Sequence, residues 1–112
     1  EKDGKLFLVL GSPGGSTIIT SVFQTILNVI LFNMDIQSAV NAPRFHHQWL
    51  PDFIYVEKES FSKNTLDSLM LLGHRIKSRS HMGHVNAIHI DNDIQAGADK
   101  RGSNSASILS NK

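Results

Sequence analysis

Leu6-Phe7-Leu8-Val9-Leu10-Gly11-Ser12-Pro13-Gly14-Gly15-Ser16-Thr17-Ile18-Ile19 is the stretch on which the reading of this chain turns. A short apolar run stops at a break of glycine, serine and proline, and a helical pattern starts directly after it. The run Leu6–Leu10 reads as a buried strand. From Thr17 to Phe32, Ile19, Val22/Phe23, Ile26/Leu27 and Ile30 recur at helical spacing. The apolar face is wide, which predicts a largely buried helix. Ser16 is the expected N-cap, and Asn33 or the Met34-Asp35 step the expected end.

A strand, a glycine-rich turn and a helix make an anion-binding arrangement. The first N–H groups of a helix have no partner inside it, and the helix dipole favours negative charge there. Glycines at Gly14 and Gly15 allow positive φ and a close backbone approach. Two adjacent N–H groups can then face one concavity, suited to a phosphate or to the oxyanion of an acyl transfer. Ser12 could help shape such a site, although a turn hydroxyl also bonds its own backbone. A phosphate loop needs Gly-Lys and then Ser or Thr, and Gly14-Gly15-Ser16 has no lysine. The dinucleotide fingerprint Gly-x-Gly-x-x-Gly is not matched by Gly11, Gly14 and Gly15 either. The pattern alone leaves a ligand-free tight turn open.

Working outward, Asp3-Gly4 signals a two-residue hairpin turn. With no strand ahead of it, the expectation is a chain cut from a longer one. Ile36–Asn41 reads as a short helix that stops before Pro43. Pro43–Pro51 is aromatic and polar and is expected to run extended and irregular. Ile54–Glu57 reads as a strand. Ser62 begins a helix through Leu72, with Leu66, Leu69, Met70 and Leu72 inward and Gly73 as C-cap. Arg75–Ser78 and Val85–Ile90 read as strands. Asp91-Asn92-Asp93 is a turn leading to a hairpin partner at Ile94–Ala98. From Gly102 the tail is small and polar, with only Ile108 and Leu109 to bury.

The bulk properties exclude several classes. The 112 residues fit one domain or part of one, and 40% hydrophobic residues suffice for a core. A net charge of +1 gives no electrostatic case for nucleic acid or an anionic membrane. There is no cysteine, hence no disulfide or thiolate metal site. No apolar run reaches the roughly 18 residues of a membrane helix.

Two blocks closely resemble the γ-glutamyltransferase (γ-glutamyltranspeptidase) family. One is Gly11-Ser12-Pro13-Gly14-Gly15-Ser16 with Ile18-Ile19-Thr20. The other is Asn41-Ala42-Pro43-Arg44-Phe45-His46-His47-Gln48-Trp49-Leu50-Pro51-Asp52. Val56-Glu57-Lys58 and Met82-Gly83 extend the likeness over roughly Gly4 to Gly97. The second block is long and compositionally odd, which makes the joint match specific. The chain departs from the family at Asp99-Lys100-Arg101, where Asp-Pro-Arg is usual.

The resemblance implies an α+β fold, a partial αββα four-layer sandwich of the N-terminal-nucleophile hydrolase type. Residues 1–112 would be the C-terminal portion of the small-subunit domain. The family's nucleophilic threonine lies upstream, its own amine acting as base. It attacks the γ-glutamyl amide of glutathione or a related compound, and water or an acceptor amine then takes the acyl group. Gly14 and Gly15 take the role of oxyanion-hole donors through their N–H groups, with Ser12 beside them in the substrate site. The partners implied are a γ-glutamyl substrate and the large subunit of the same precursor. No cofactor or metal is called for, and the implied compartment is the periplasm or the exterior of a bacterium. This piece alone would be inactive, and its unpaired strand edges predict poor solubility in isolation.

Thr17, Thr20, Thr25 and Thr65 do not match the nucleophile motif. His46 and His47, with His81, His84 or His89, could make a metal site on paper, but a packing loop accounts for the histidines as well. Arg44 and Trp49 read as structural, and Lys100-Arg101 as solvated. The competing readings are a non-enzymatic assembly module on the same scaffold, a related amide acylase such as one acting on a cephalosporin side chain, and, against the missing lysine, a nucleotide-binding domain.

Overall fold

The structure is a computed structural model and describes residues 1–109. Its elements are β1 (Leu8–Gly11), α1 (Thr17–Ile30), α2 (Ile36–Asn41), β2 (Phe45–His46), β3 (Ile54–Glu57), α3 (Lys63–Leu71), β4 (Ile76–Arg79), β5 (Asn86–Ile90) and β6 (Ile94–Ala98). They form two three-stranded sheets, ordered β1-β5-β6 and β2-β3-β4.

The first sheet is antiparallel throughout, with Leu10 opposite Ala87 and Ala87 opposite Gly97. The Asp91–Asp93 turn joins β5 to β6 as the sequence predicts. Because side chains alternate across a strand, Leu8, Leu10 and Ala87 share one face. That face packs on Val29 of α1 and on Ile36, Ala39 and Val40 of α2, which with Val85 form the core. Gly97 is required there: a Cβ would stand 3.0 Å from the Ile36 carbonyl oxygen. The opposite face carries Val9, Ile88 and Ile94 in the open. The expected buried strand is therefore buried on one face only.

Helix α1 corrects a second expectation. Its inward residues are Thr17, Ser21, Thr25 and Val29, spaced by four. Ile19, Phe23 and Ile30 point outward, at 78%, 56% and 52% exposure. Small side chains let the helix lie close over its neighbours, and this leaves the apolar stripe uncovered among the described residues. Ser16 does not cap the helix; it is itself helical and its side chain makes no capping bond. Asn33, at φ 51°, ends the helix region as expected. Asp35 caps α2 by accepting from the Ser38 N–H.

In the second sheet β3 pairs antiparallel with β2 and parallel with β4, and α3 makes the crossover. A two-residue strand thus interrupts the Pro43–Pro51 stretch expected to be irregular. Ser62 caps α3 through the Thr65 N–H, and Gly73 at φ 92° follows its end. Leu66 and Leu69 are half-buried as predicted, whereas Met70 and Leu72 are exposed. Ile108 and Leu109 are exposed too, so the tail does not bury them; residues 110–112 of that tail lie outside the described residues. At the other end, Asp3 and Gly4 at φ 51° and 74° make the expected tight turn, closed by a Lys2–Lys5 bridge.

Candidate oxyanion site

Strand β1 delivers the chain to the glycine turn and α1 carries it away. Gly14 sits at φ 134° and Gly15 at φ 58°, a region that favours glycine in both cases. At Gly14 space matters as well, because a Cβ would fall 2.7 Å from Thr17 Oγ1.

Three successive carbonyls of the turn, those of Pro13, Gly14 and Gly15, are engaged. The Ser12 hydroxyl donates to the Pro13 oxygen at 2.7 Å. The Gly14 oxygen accepts from the Thr17 N–H at 3.2 Å and from the Thr17 hydroxyl at 2.8 Å. The Gly15 oxygen accepts from the Ile18 N–H at 3.1 Å. The N–H groups of Gly14 and Gly15, in contrast, donate to no group among the described residues. They lie beside the N-terminus of α1, where partial positive charge accumulates. Free donors on a turn with fixed carbonyls are what an anion site requires.

The turn rests on a second one. Gly83, at φ 66°, lies against Gly14; a Cβ on Gly83 would reach the Ser12 and Ser21 hydroxyls, at 2.8 and 2.5 Å. The backbone of residues 82–85 is held from four sides. Glu57 accepts from the Met82 N–H at 3.0 Å, and Arg44 donates to the Met82 oxygen at 2.8 Å. The His84 N–H donates to the Ser12 hydroxyl at 2.8 Å, and Asp99 accepts from the Val85 N–H at 2.8 Å.

Three of those holders belong to a buried quartet of two cations and two anions. Arg44 pairs with Asp99 at 2.8 Å, and Arg101 pairs with Asp99 at 3.0 Å and with Glu57. Arg44 also donates to the Val40 oxygen, and Arg101 to the Val40 and Ala42 oxygens. Lys100 is exposed, as expected, but the Arg101 side chain is only 6% exposed, which corrects the solvated reading for that residue: it neutralises buried carboxylates. Arg44 is structural, as expected.

Burial alone would raise the Glu57 pKa; the Arg101 guanidinium and the Met82 and Arg44 N–H groups outweigh it and hold the carboxyl below its usual value. Asp99 is likewise depressed, with burial opposed by the Arg101 N–H, the Val85 N–H and both guanidiniums. Burial, then Arg101, pull the Arg44 pKa down, whereas at Arg101 the bonds to Glu57 and Asp99 overcome burial and raise it. Of the two cations, Arg101 is the better compensated.

The histidines are not gathered into a site. His46 is buried and bonds the Thr20 hydroxyl and the Gln48 side chain, and His47 meets Asp52. Among the described residues no group of three His, Cys, Asp or Glu is placed to hold a metal, and no helix is long and apolar enough to cross a membrane. The structure thus brings Ser12, Gly14 and Gly15 together and adds Thr17, Gly83, Glu57, Asp99 and Arg101, which the sequence reading did not connect to the turn. A carboxylate closing strand β3 at Glu57 was the one available signal.

A sequence profile described as Gamma-glutamyltranspeptidase matches residues 1–109, past the Gly97 limit of the likeness read from motifs. A glutathione hydrolase proenzyme of Escherichia coli (strain K12) is 46% identical over 102 residues, which are 89% of this chain and 17% of that protein. A solved gamma-glutamyltranspeptidase from Helicobacter pylori superposes with a TM-score of 0.88 at 46% identity, over 91% of this chain and 57% of that one. Another, from Pseudomonas nitroreducens and complexed with L-DON, gives 0.90 at 35% identity, over 98% and 59%. The chain therefore spans about a sixth of the proenzyme and somewhat over half of the solved chains. These superpositions bear out the expected fold class, α+β and part of the αββα sandwich of the N-terminal-nucleophile hydrolases.

Proposed function

This chain belongs to the gamma-glutamyltranspeptidase family, and on that premise we propose that it supplies the oxyanion hole of an enzyme that transfers or hydrolyses γ-glutamyl groups. The substrates are glutathione and related γ-glutamyl amides. A threonine outside this chain attacks the amide carbonyl, whose oxygen becomes an anion in the tetrahedral intermediate. The Gly14 and Gly15 N–H groups receive that oxygen. Collapse expels the amine and leaves a γ-glutamyl ester on the threonine, which water or an acceptor amine then cleaves. Fixed donors aimed at developing charge lower the barrier because they need no reorganisation during the reaction. The large subunit of the same precursor is the proposed partner, and the periplasm or cell exterior the proposed location, both from family likeness.

The observation that carries this reading is the pairing of unengaged N–H groups with fully engaged carbonyls at Gly14 and Gly15. Replacing the Gly15 amide by an ester, in the full-length protein, removes the N–H and keeps the shape. Hydrolysis of a γ-glutamyl anilide should then slow by about 10²–10³ in kcat. An unchanged kcat would remove the oxyanion role.

A further inference from the structure

We propose that the Ser12 hydroxyl is a positioning residue for the oxyanion site, with the Thr17 hydroxyl as its counterpart one peptide further on. The inference rests on the reading of Gly14 and Gly15 as oxyanion donors and says what aims them.

A peptide unit is rigid and planar, and in the trans form its C=O and N–H point in opposite directions. The oxygen of Pro13 and the nitrogen of Gly14 belong to one such unit. The Ser12 hydroxyl holds that oxygen at 2.7 Å, so it also sets where the Gly14 N–H points. The next unit joins the Gly14 oxygen to the Gly15 nitrogen. Thr17 holds that oxygen twice, through its hydroxyl at 2.8 Å and its N–H at 3.2 Å. Each proposed donor therefore has its own clamp, applied to the far end of its peptide. Glycines at φ 134° and 58° need such clamps, because with no Cβ they resist peptide rotation least.

The Ser12 clamp is itself anchored. Its single hydrogen goes to the Pro13 oxygen, and its lone pair accepts the His84 N–H at 2.8 Å. That N–H lies between Met82, held by Glu57 and Arg44, and Val85, held by Asp99. Turning the Ser12 side chain about its Cα–Cβ bond would break both bonds at once and leave the His84 N–H without its acceptor. Having committed its hydrogen, Ser12 acts on the reacting oxygen through the Gly14 peptide.

The test uses the full-length protein and a γ-glutamyl anilide, with kcat and KM measured separately. Ser12→Ala and Thr17→Val are each expected to lower kcat about 10-fold or more with little change in KM, the pattern of an interaction made only in the transition state. Thr17→Ser, which keeps the hydroxyl, is expected to recover most of the kcat lost in Thr17→Val. If Ser12→Ala does not accumulate as folded protein, the Thr17→Val and Thr17→Ser pair decides. Unchanged kcat in Ser12→Ala and Thr17→Val, alongside a large loss on ester replacement at Gly15, would overturn the clamps and leave the oxyanion reading standing. A silent ester replacement would overturn that reading itself. Equal loss in Thr17→Ser and Thr17→Val would also count against positioning by the hydroxyl.

Discussion

Removing the Arg101 guanidinium should be among the most damaging single changes this chain can suffer. In Arg101→Met the stem keeps most of its volume, but Glu57 and Asp99 lose a shared cation. Those two carboxylates are 5% and 0% exposed, so water cannot replace it. The Arg44 guanidinium still pairs with Asp99, but Glu57 keeps only backbone N–H donors, those of Arg44 and Met82, among the described residues, and the Ala42 oxygen loses its Arg101 donor. Breaking a buried pair from one side costs about 3–5 kcal/mol. At about 2–4 °C per kcal/mol for a domain of a few hundred residues, the melting temperature of the full-length protein should fall by about 6 °C or more. Differential scanning fluorimetry at neutral pH measures this, with exposed Lys100→Ala as the neutral control. Adding Glu57→Gln should return part of the loss, since the second change removes a charge the first left uncompensated. A fall of less than 2 °C in Arg101→Met, or a double variant as unstable as the sum of the singles, would refute the reasoning.

Other consequences follow from the same contacts. Glu57 and Asp99 have folded pKa values below their unfolded ones, so their stabilisation is present above the unfolded values and is lost as pH falls through the folded ones. The melting temperature should therefore hold down to about pH 4 and drop below it; in Arg101→Met, whose deficit is the charge left uncompensated on Glu57 and Asp99, the gap to the parent should narrow as pH falls, and a pH series of melts reads both. Gly97→Ala forces a methyl to within 3.0 Å of the Ile36 oxygen and should cost about 1–3 kcal/mol, seen as a lowered thermal midpoint. Asp35→Ala removes the acceptor for the Ser38 N–H and should cost about 1 kcal/mol, measurable the same way.

Local chemistry in the sequence was enough to bound several elements. Helix α2 runs from Ile36 to Asn41 because Asp35 caps it and Pro43 forbids its continuation. Strand β6 is found at Ile94–Ala98 because the Asp91–Asp93 turn reverses β5. The glycine turn was legible too, since Gly14 and Gly15 have few conformational reasons to stand side by side. What covers a surface was not legible. The stripe Ile19, Phe23 and Ile30 announces a helix, but its period is silent on which face meets the sheet, and here Thr17, Ser21 and Thr25 do. Nor was the quartet visible: Arg44 and Glu57 lie far in sequence from Asp99 and Arg101, and the return of the chain after β6 brings the two pairs together beside residues 82–85. Long-range pairing of charges leaves no local pattern, so Arg101 read as a solvated cation.

The oxyanion site stands or falls on where one oxygen sits. A crystal structure of the full-length protein bearing a tetrahedral boronate analogue of the γ-glutamyl group would locate it. One boronate oxygen is expected within about 2.7–3.1 Å of both the Gly14 and Gly15 nitrogens. An oxygen directed to solvent or to a side chain, with either glycine nitrogen beyond hydrogen-bonding distance, would contradict it.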